Sequence, residues 1–179
     1  MADNTVPKNN EINKNKVKRL ALIAILIASA AALQLLEAPL PRILPWLKLG
    51  LANTVTLYAL IKLSGGASIA IAALRTCLAA LFFGSVFSPI HMLSFAGAFS
   101  AAVIMTLIYK FLPKTSIGII SISGAITSNI AQLLVVQFMF ASNVSLWFHI
   151  ALIVWIGIPS GLIVGRITTE LLKRTNTFL

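Results

Sequence analysis

Residues 37–53 read EAPLPRILPWLKLGLAN. Three prolines, the acid Glu37, the cations Arg42 and Lys48 and the aromatic Trp46 stand together between two apolar segments. Proline cannot continue a helix from within, so the stretch separates one helix from the next. The apolar run that follows, residues 50–63, would reach only about 21 Å as a helix, against a bilayer core of about 30 Å. The linker is therefore expected to dip into the membrane. Irregular backbone at that depth survives only where protein buries it or where it lines a wet cavity. The stretch reads as the roof of a small-molecule site inside a helical membrane protein.

The composition around it agrees. The chain has 179 residues, 59% of them hydrophobic and 10% charged, where soluble domains carry about 25% charged residues. Long apolar runs make it an all-α integral membrane protein, since a barrel strand would alternate apolar with polar residues. The formal charge of +10 comes from 14 basic and 4 acidic residues. Most of the cations flank apolar segments, which points to orientation and lipid headgroups and not to nucleic acid. Cys77 is the single cysteine, so neither a disulfide nor a cysteine metal site is expected, and its apolar surroundings suggest a packing residue.

Reading outward, residues 1–19 form a basic Asn/Lys-rich tail, expected to be disordered to about Asn13. A membrane domain over 20–172 follows, then a short tail at 173–179. Six spans are expected, near 20–36, 47–63, 67–83, 90–112, 117–141 and 146–172. The first is expected to stay in the membrane and not to be cleaved as a leader. Ala24, Ala28 and Ala32 recur on one face of it, with Ala21 and Ala31 close by, and such a small-residue face packs either inside this protein or against a partner helix. Residues 64–66, Ser-Gly-Gly, suggest a tight turn. Gly157, Gly161 and Gly165 repeat at four-residue spacing in the sixth span, where Pro159 would kink the helix.

The tail, the turns at 62–66 and 110–116 and the C-terminus hold the bases, and these ends alternate, so all are expected on the cytoplasmic side. On the opposite side the loops 84–89 and 142–145 hold none. Arg42 and Lys48 lie on that side and need a local reason, such as an anionic ligand.

Arg75 falls near mid-membrane, where insertion scales put the cost at about 2.5–3.5 kcal/mol and where function is the first reading. Snorkelling or a pair with Glu37 are the structural alternatives. Asn53, Thr54 and Thr56 open the second span. Ser121, Ala125, Ser128 and Gln132 make a small polar stripe on the fifth, flanked by Asn129. Amides in a span either bond a neighbouring helix or read a ligand. Trp46, Trp147 and Trp155 suit interface anchors, although Trp46 also stands in the linker that matters. His91 and His149 are isolated and read as structural. The candidate binding residues are therefore Arg42, Trp46, Lys48, Asn53, Arg75, Asn129 and Gln132.

Enzyme chemistry finds no footing. Asp3, Glu11, Glu37 and Glu170 are the acids, and no pair can meet in the membrane. Prenyl transfer would need clustered aspartates to hold Mg²⁺ on a diphosphate. There is no phosphate-binding P-loop, no G-x-S-x-G and no Cys/His metal spacing, so no metal or cofactor is expected and any ATP use belongs to another chain.

PWLKLGLANTVTLYAL at 45–60, Leu74-Arg75 and SIGIISISGAITSNIAQLL at 116–134 resemble the bacterial family labelled heptaprenyl diphosphate synthase component I, also called Gx transporters. The resemblance covers about residues 20–172, and KLGLAN is its most specific block. The label implies a subunit of isoprenoid synthesis. The family is also similar to the substrate-binding S components of energy-coupling factor (ECF) transporters. That likeness implies six helices, both termini cytoplasmic in a bacterial cell membrane, a substrate near the outer side under the loop between helices one and two, and separate coupling-membrane and ATPase subunits. It also implies a partner-docking role for Ala24, Ala28 and Ala32. The expected function is capture of a small anionic or amphipathic molecule, such as a vitamin, flavin, quinone or isoprenoid precursor. The alternatives are a non-catalytic membrane subunit of heptaprenyl diphosphate synthesis and a self-contained carrier. One position departs from the family: its fifth-helix motif has His directly before the Asn, where this chain has Ser128. If that His touches ligand, this member's substrate differs.

Overall fold

The computed structural model describes residues 6–37, 50–140 and 146–177. Six helices follow in order: α1 (Val6–Glu37), α2 (Asn53–Lys62), α3 (Gly65–Phe82), α4 (Pro89–Phe111), α5 (Ile117–Phe140) and α6 (Leu146–Thr177). No strand occurs among the described residues. Five helices, all but α2, are long and apolar enough to cross a bilayer, and the protein is a multi-pass membrane protein.

The exception, α2, organises the rest. Its 10 residues rise about 15 Å, half of a bilayer core. It packs against each of the other five helices, while α1 and α6 do not pack on each other. Seven of its residues are buried, from Asn53 to Leu60. Leu57 and Leu60 meet Ala101, Met105 and Ile120 of α4 and α5. Val55 and Ala59 meet Ala30 of α1 and Ile71 of α3. Side chains from neighbours bond its backbone: Ser68 Oγ donates to the Thr56 carbonyl at 2.9 Å, and Thr168 Oγ1 lies 3.5 Å from the Thr54 carbonyl.

The expected second span starts too early. Leu51 and Ala52 form a turn, and the helix begins at Asn53. Gly50 explains the boundary: its φ of +76° is left-handed, which a right-handed helix does not admit. The tail expectation also changes. Helix α1 reaches back to Val6 through the Asn/Lys-rich segment, because an apolar span supplies the nucleus and each further residue adds one hydrogen bond. The turn at 64–66 shrinks, since Ser64 caps α3 by accepting from the Ala67 N–H at 3.2 Å and Gly65 is already helical. At the other end, Ser88 caps α4 on the His91 N–H with Pro89 in the first turn.

Gly157, Gly161 and Gly165 seat α6 on α5. A Cβ on Gly161 would fall 2.5 Å from the Ile122 Cα, and one on Gly165 3.0 Å from the Gly118 Cα. Helix α6 runs unbroken through Pro159. Cys77 does not pack inside the bundle. It is exposed on the outer surface of α3.

Candidate functional site

A polar cavity opens beyond the N-terminal end of α2. It is lined by Gln34 and Glu37 of α1, Gly50, Asn53 of α2, Arg75 of α3, Ser94 and Ala98 of α4, Ser121, Ala125, Ser128, Asn129 and Gln132 of α5, and Val164 of α6. Every helix contributes. The start of α2 turns the positive end of that helix toward the space.

Arg75 is 4% exposed. Its Nη2 donates to Asn53 Oδ1 at 2.6 Å, while Nε is buried without a partner among the described residues. The Glu37 carboxylate is the charge that acts favourably on it. Glu37, at the last turn of α1, accepts the Gly50 N–H through Oε1 at 2.5 Å. One acid thus ties the two ends of the linker together and offsets the buried cation.

The polar stripe expected on α5 comes to the cavity as a unit. Ser121, Ser128, Asn129 and Gln132 are all buried, and Ser121 Oγ and Gln132 Oε1 have no partner among the described residues. Asn53, Arg75, Asn129 and Gln132 are therefore brought together. Arg42, Trp46 and Lys48 lie outside the described residues. Ala24, Ala28 and Ala32 are exposed along α1, as is Ala21, whereas Ala31 turns inward with Ala30.

The cavity holds about 30 Å³, room for roughly two waters, where ligand pockets run to about 300–1,000 Å³. A neighbouring space of about 50 Å³ lies beside Thr76, Phe83, His91 and Ser94, and Gln34 and Glu37 line both. This end of the bundle carries the 83–88 loop. The opposite end joins α1 to the α2–α3 turn, where Arg19 Nη2 donates to Ser64 Oγ at 3.3 Å. A separate apolar recess of about 610 Å³ faces outward between Phe87, Phe95, Leu134 and Phe138. It lacks charge, and a lipid tail would wet it. No group of three His, Cys, Asp or Glu forms among the described residues.

Gln34 was not singled out in the sequence. It is the one amide in an otherwise apolar span and stands three residues before Glu37, so helical spacing puts both on one face. Gly97 also escaped notice. A Cβ there would fall 2.6 Å from Gln132 Nε2 and 2.8 Å from Ser128 Oγ, so α4 must offer bare backbone for the α5 stripe to fit.

The profile of the family described as heptaprenyl diphosphate synthase component I matches residues 26–171. The chain belongs to that family. Its matched region holds the last 12 residues of α1, all of α2–α5 and most of α6, with every described residue of the cavity. No curated protein matches it. Among solved structures, one reported as the structure and mechanism of the S component of a bacterial ECF transporter matches with a TM-score of 0.69 at 23% identity. The match covers 91% of this chain and 98% of that one. This family member therefore shares the S-component fold.

Proposed function

We propose that this protein is the substrate-binding membrane subunit of an ECF-type transporter, taking up a small anionic or amphipathic molecule. The observation that carries the reading is Arg75, a cation buried in a polar cavity walled by every helix, with donor capacity left over. A structural arginine would be expected to spend its donors on fixed carbonyls or carboxylates. This one shares its cavity with Ser121 Oγ and Gln132 Oε1, which also lack partners among the described residues. The S-component fold of the solved neighbour supports the reading.

Uptake of a vitamin-sized molecule requires the cavity to open about tenfold, judged by ordinary pocket volumes. The linker residues Arg42, Trp46 and Lys48 would cap the ligand on the outer side, with both termini cytoplasmic. The exposed Ala24, Ala28 and Ala32 would take a coupling membrane subunit against α1, and separate ATPases would supply energy. The protein itself would perform no covalent chemistry.

The family's description favours a second reading, a non-catalytic membrane subunit that holds a soluble prenyl synthase at the lipid surface. Purification from native membranes in mild detergent, with mass spectrometry of all that is retained, separates the two. Co-purifying ATPases, a coupling membrane protein and a small molecule are the expected result. A soluble prenyl synthase in their place would overturn it.

A further inference from the structure

Gln132 is held in one orientation. Its Nε2 donates to the Ser128 backbone carbonyl and to Ser128 Oγ, each at 3.2 Å. A carbonyl oxygen can only accept, so the nitrogen must be the atom on that side, and the usual amide ambiguity is resolved by the bonding itself. Gly97 of α4 leaves room for the same nitrogen end, where a Cβ would fall 2.6 Å from it. Oε1 is thereby left for the cavity. Gln132 is 2% exposed, and this oxygen is buried with no partner among the described residues. Across the same cavity the unspent capacity is of the opposite kind: Arg75 Nε is a donor and can never accept. Ser121 Oγ, also without a partner among the described residues, can serve either.

We infer that Gln132 Oε1 reads a hydrogen-bond donor on the substrate, so that the molecule carried is bifunctional, with an anionic or acceptor group at Arg75 and an O–H or N–H at Gln132. This rests on the reading of the cavity as a substrate site and narrows it. A site built to pair a buried acceptor rejects an analogue lacking the donor, because the protein's own polar group is then left bare. An ionised prenyl diphosphate offers acceptor oxygens and an apolar tail. It satisfies Arg75 and leaves Gln132 unpaired. A hydroxy acid, an amido acid or a ring bearing both groups satisfies both ends.

The probe is the pool of cell metabolites that stays bound through purification of the full chain, extracted and identified by mass spectrometry. Wild type is compared with Gln132→Leu, Gln132→Met and Arg75→Ala, each checked for thermal unfolding. Two Gln132 variants guard against one that fails to fold. The expected result is a retained molecule with both an acid or acceptor group and an O–H or N–H, lost at least tenfold in the Gln132 variants and in Arg75→Ala. Undiminished retention in a folded Gln132 variant, with loss in Arg75→Ala, would overturn the donor assignment and leave the transport site standing. So would a retained molecule without any donor. Retention unchanged in all variants, or a wild type that carries nothing, would remove the transport site and this inference together.

Discussion

The Arg75 guanidinium donates to the Asn53 amide oxygen at 2.6 Å, linking the middle of α3 to the first residue of α2. That bond fixes which way the Asn53 amide faces, since a guanidinium has no acceptor. It also places the cation at the positive end of a helix, an unfavourable neighbour that only Glu37 offsets among the described residues.

Arg75→Ala should therefore separate binding from folding. Removing the side chain strips the cavity of its fixed cation but also removes a charge that cost about 2.5–3.5 kcal/mol to place at mid-membrane. Asn53 Oδ1 loses its donor, a penalty of about 1–3 kcal/mol. These terms oppose each other. The expected outcome is a thermal midpoint in detergent within a few degrees of wild type, with bound-metabolite retention falling by tenfold or more. Wild-type retention in a folded Arg75→Ala protein would remove Arg75 from the site.

The Gly50 turn gives a second prediction. Its φ of +76° costs an L-residue about 1–2 kcal/mol, and a Cβ there would come within 3.1 Å of Asn53 Nδ2. Gly50→Ala should lower stability by about that amount and weaken ligand retention, because the displaced amide is the one that Arg75 holds. Glu37→Gln keeps an amide oxygen for the Gly50 N–H but removes the charge that offsets Arg75, so it should also lower stability. Equal thermal midpoints for Gly50→Ala and wild type would show that the turn is not strained.

Much of this site could be read from the chain. The α5 stripe from Ser121 to Gln132 keeps the 3.6-residue period, so its members had to share a face, and that face lines the cavity. Arg75 stood out because a lone charge in an apolar run has few explanations. What escaped was set by contacts between distant segments. The start of α2 is hidden because Leu47, Leu49 and Leu51 are as apolar as the helix that follows; a backbone angle at Gly50, not hydropathy, ends the linker. A helix enclosed by five others buries residues on every side, and joined to the leucines of the linker it resembles a span, although its 10 residues are too few to be one. Gly97 matters through Ser128 and Gln132, 31 and 35 positions later, which no local pattern reveals.

The α5–α6 contact predicts a contrast between two glycines. Gly161→Ala would put a Cβ 2.5 Å from the Ile122 Cα, and backbone cannot swing aside as a side chain does. The helices must part, with an expected loss of about 1–3 kcal/mol, as for other overpacked cores. Gly66→Ala, in the first turn of α3 with nothing within 4 Å, should be neutral or stabilising by about 0.4–1 kcal/mol through the unfolded chain. Thermal unfolding of the two variants side by side checks the assignment. A Gly161→Ala protein as stable as Gly66→Ala would mean that the close approach of α5 and α6 is not maintained.

The exposed alanines of α1 give the prediction that separates this protein from its partners. Ala28 turns away from the bundle, with Ala24 and Ala32 one turn to either side. Ala28 is exposed, and a bulky side chain there points away from the other described helices, so Ala28→Trp should leave thermal stability and ligand retention unchanged. Close helix–helix approach depends on small side chains, and an indole would hold a second helix several ångströms away. Under the proposed function, Ala28→Trp should lose at least tenfold of the co-purifying membrane subunit, and uptake should fail although the ligand still binds. An inward alanine is the control: Ala30, fully buried against Val55, Ala59 and Ile71, should destabilise the bundle itself when enlarged. If Ala28→Trp captures the membrane subunit as well as wild type does, the coupling surface lies elsewhere, and the alanine repeat is no more than a smooth wall against lipid.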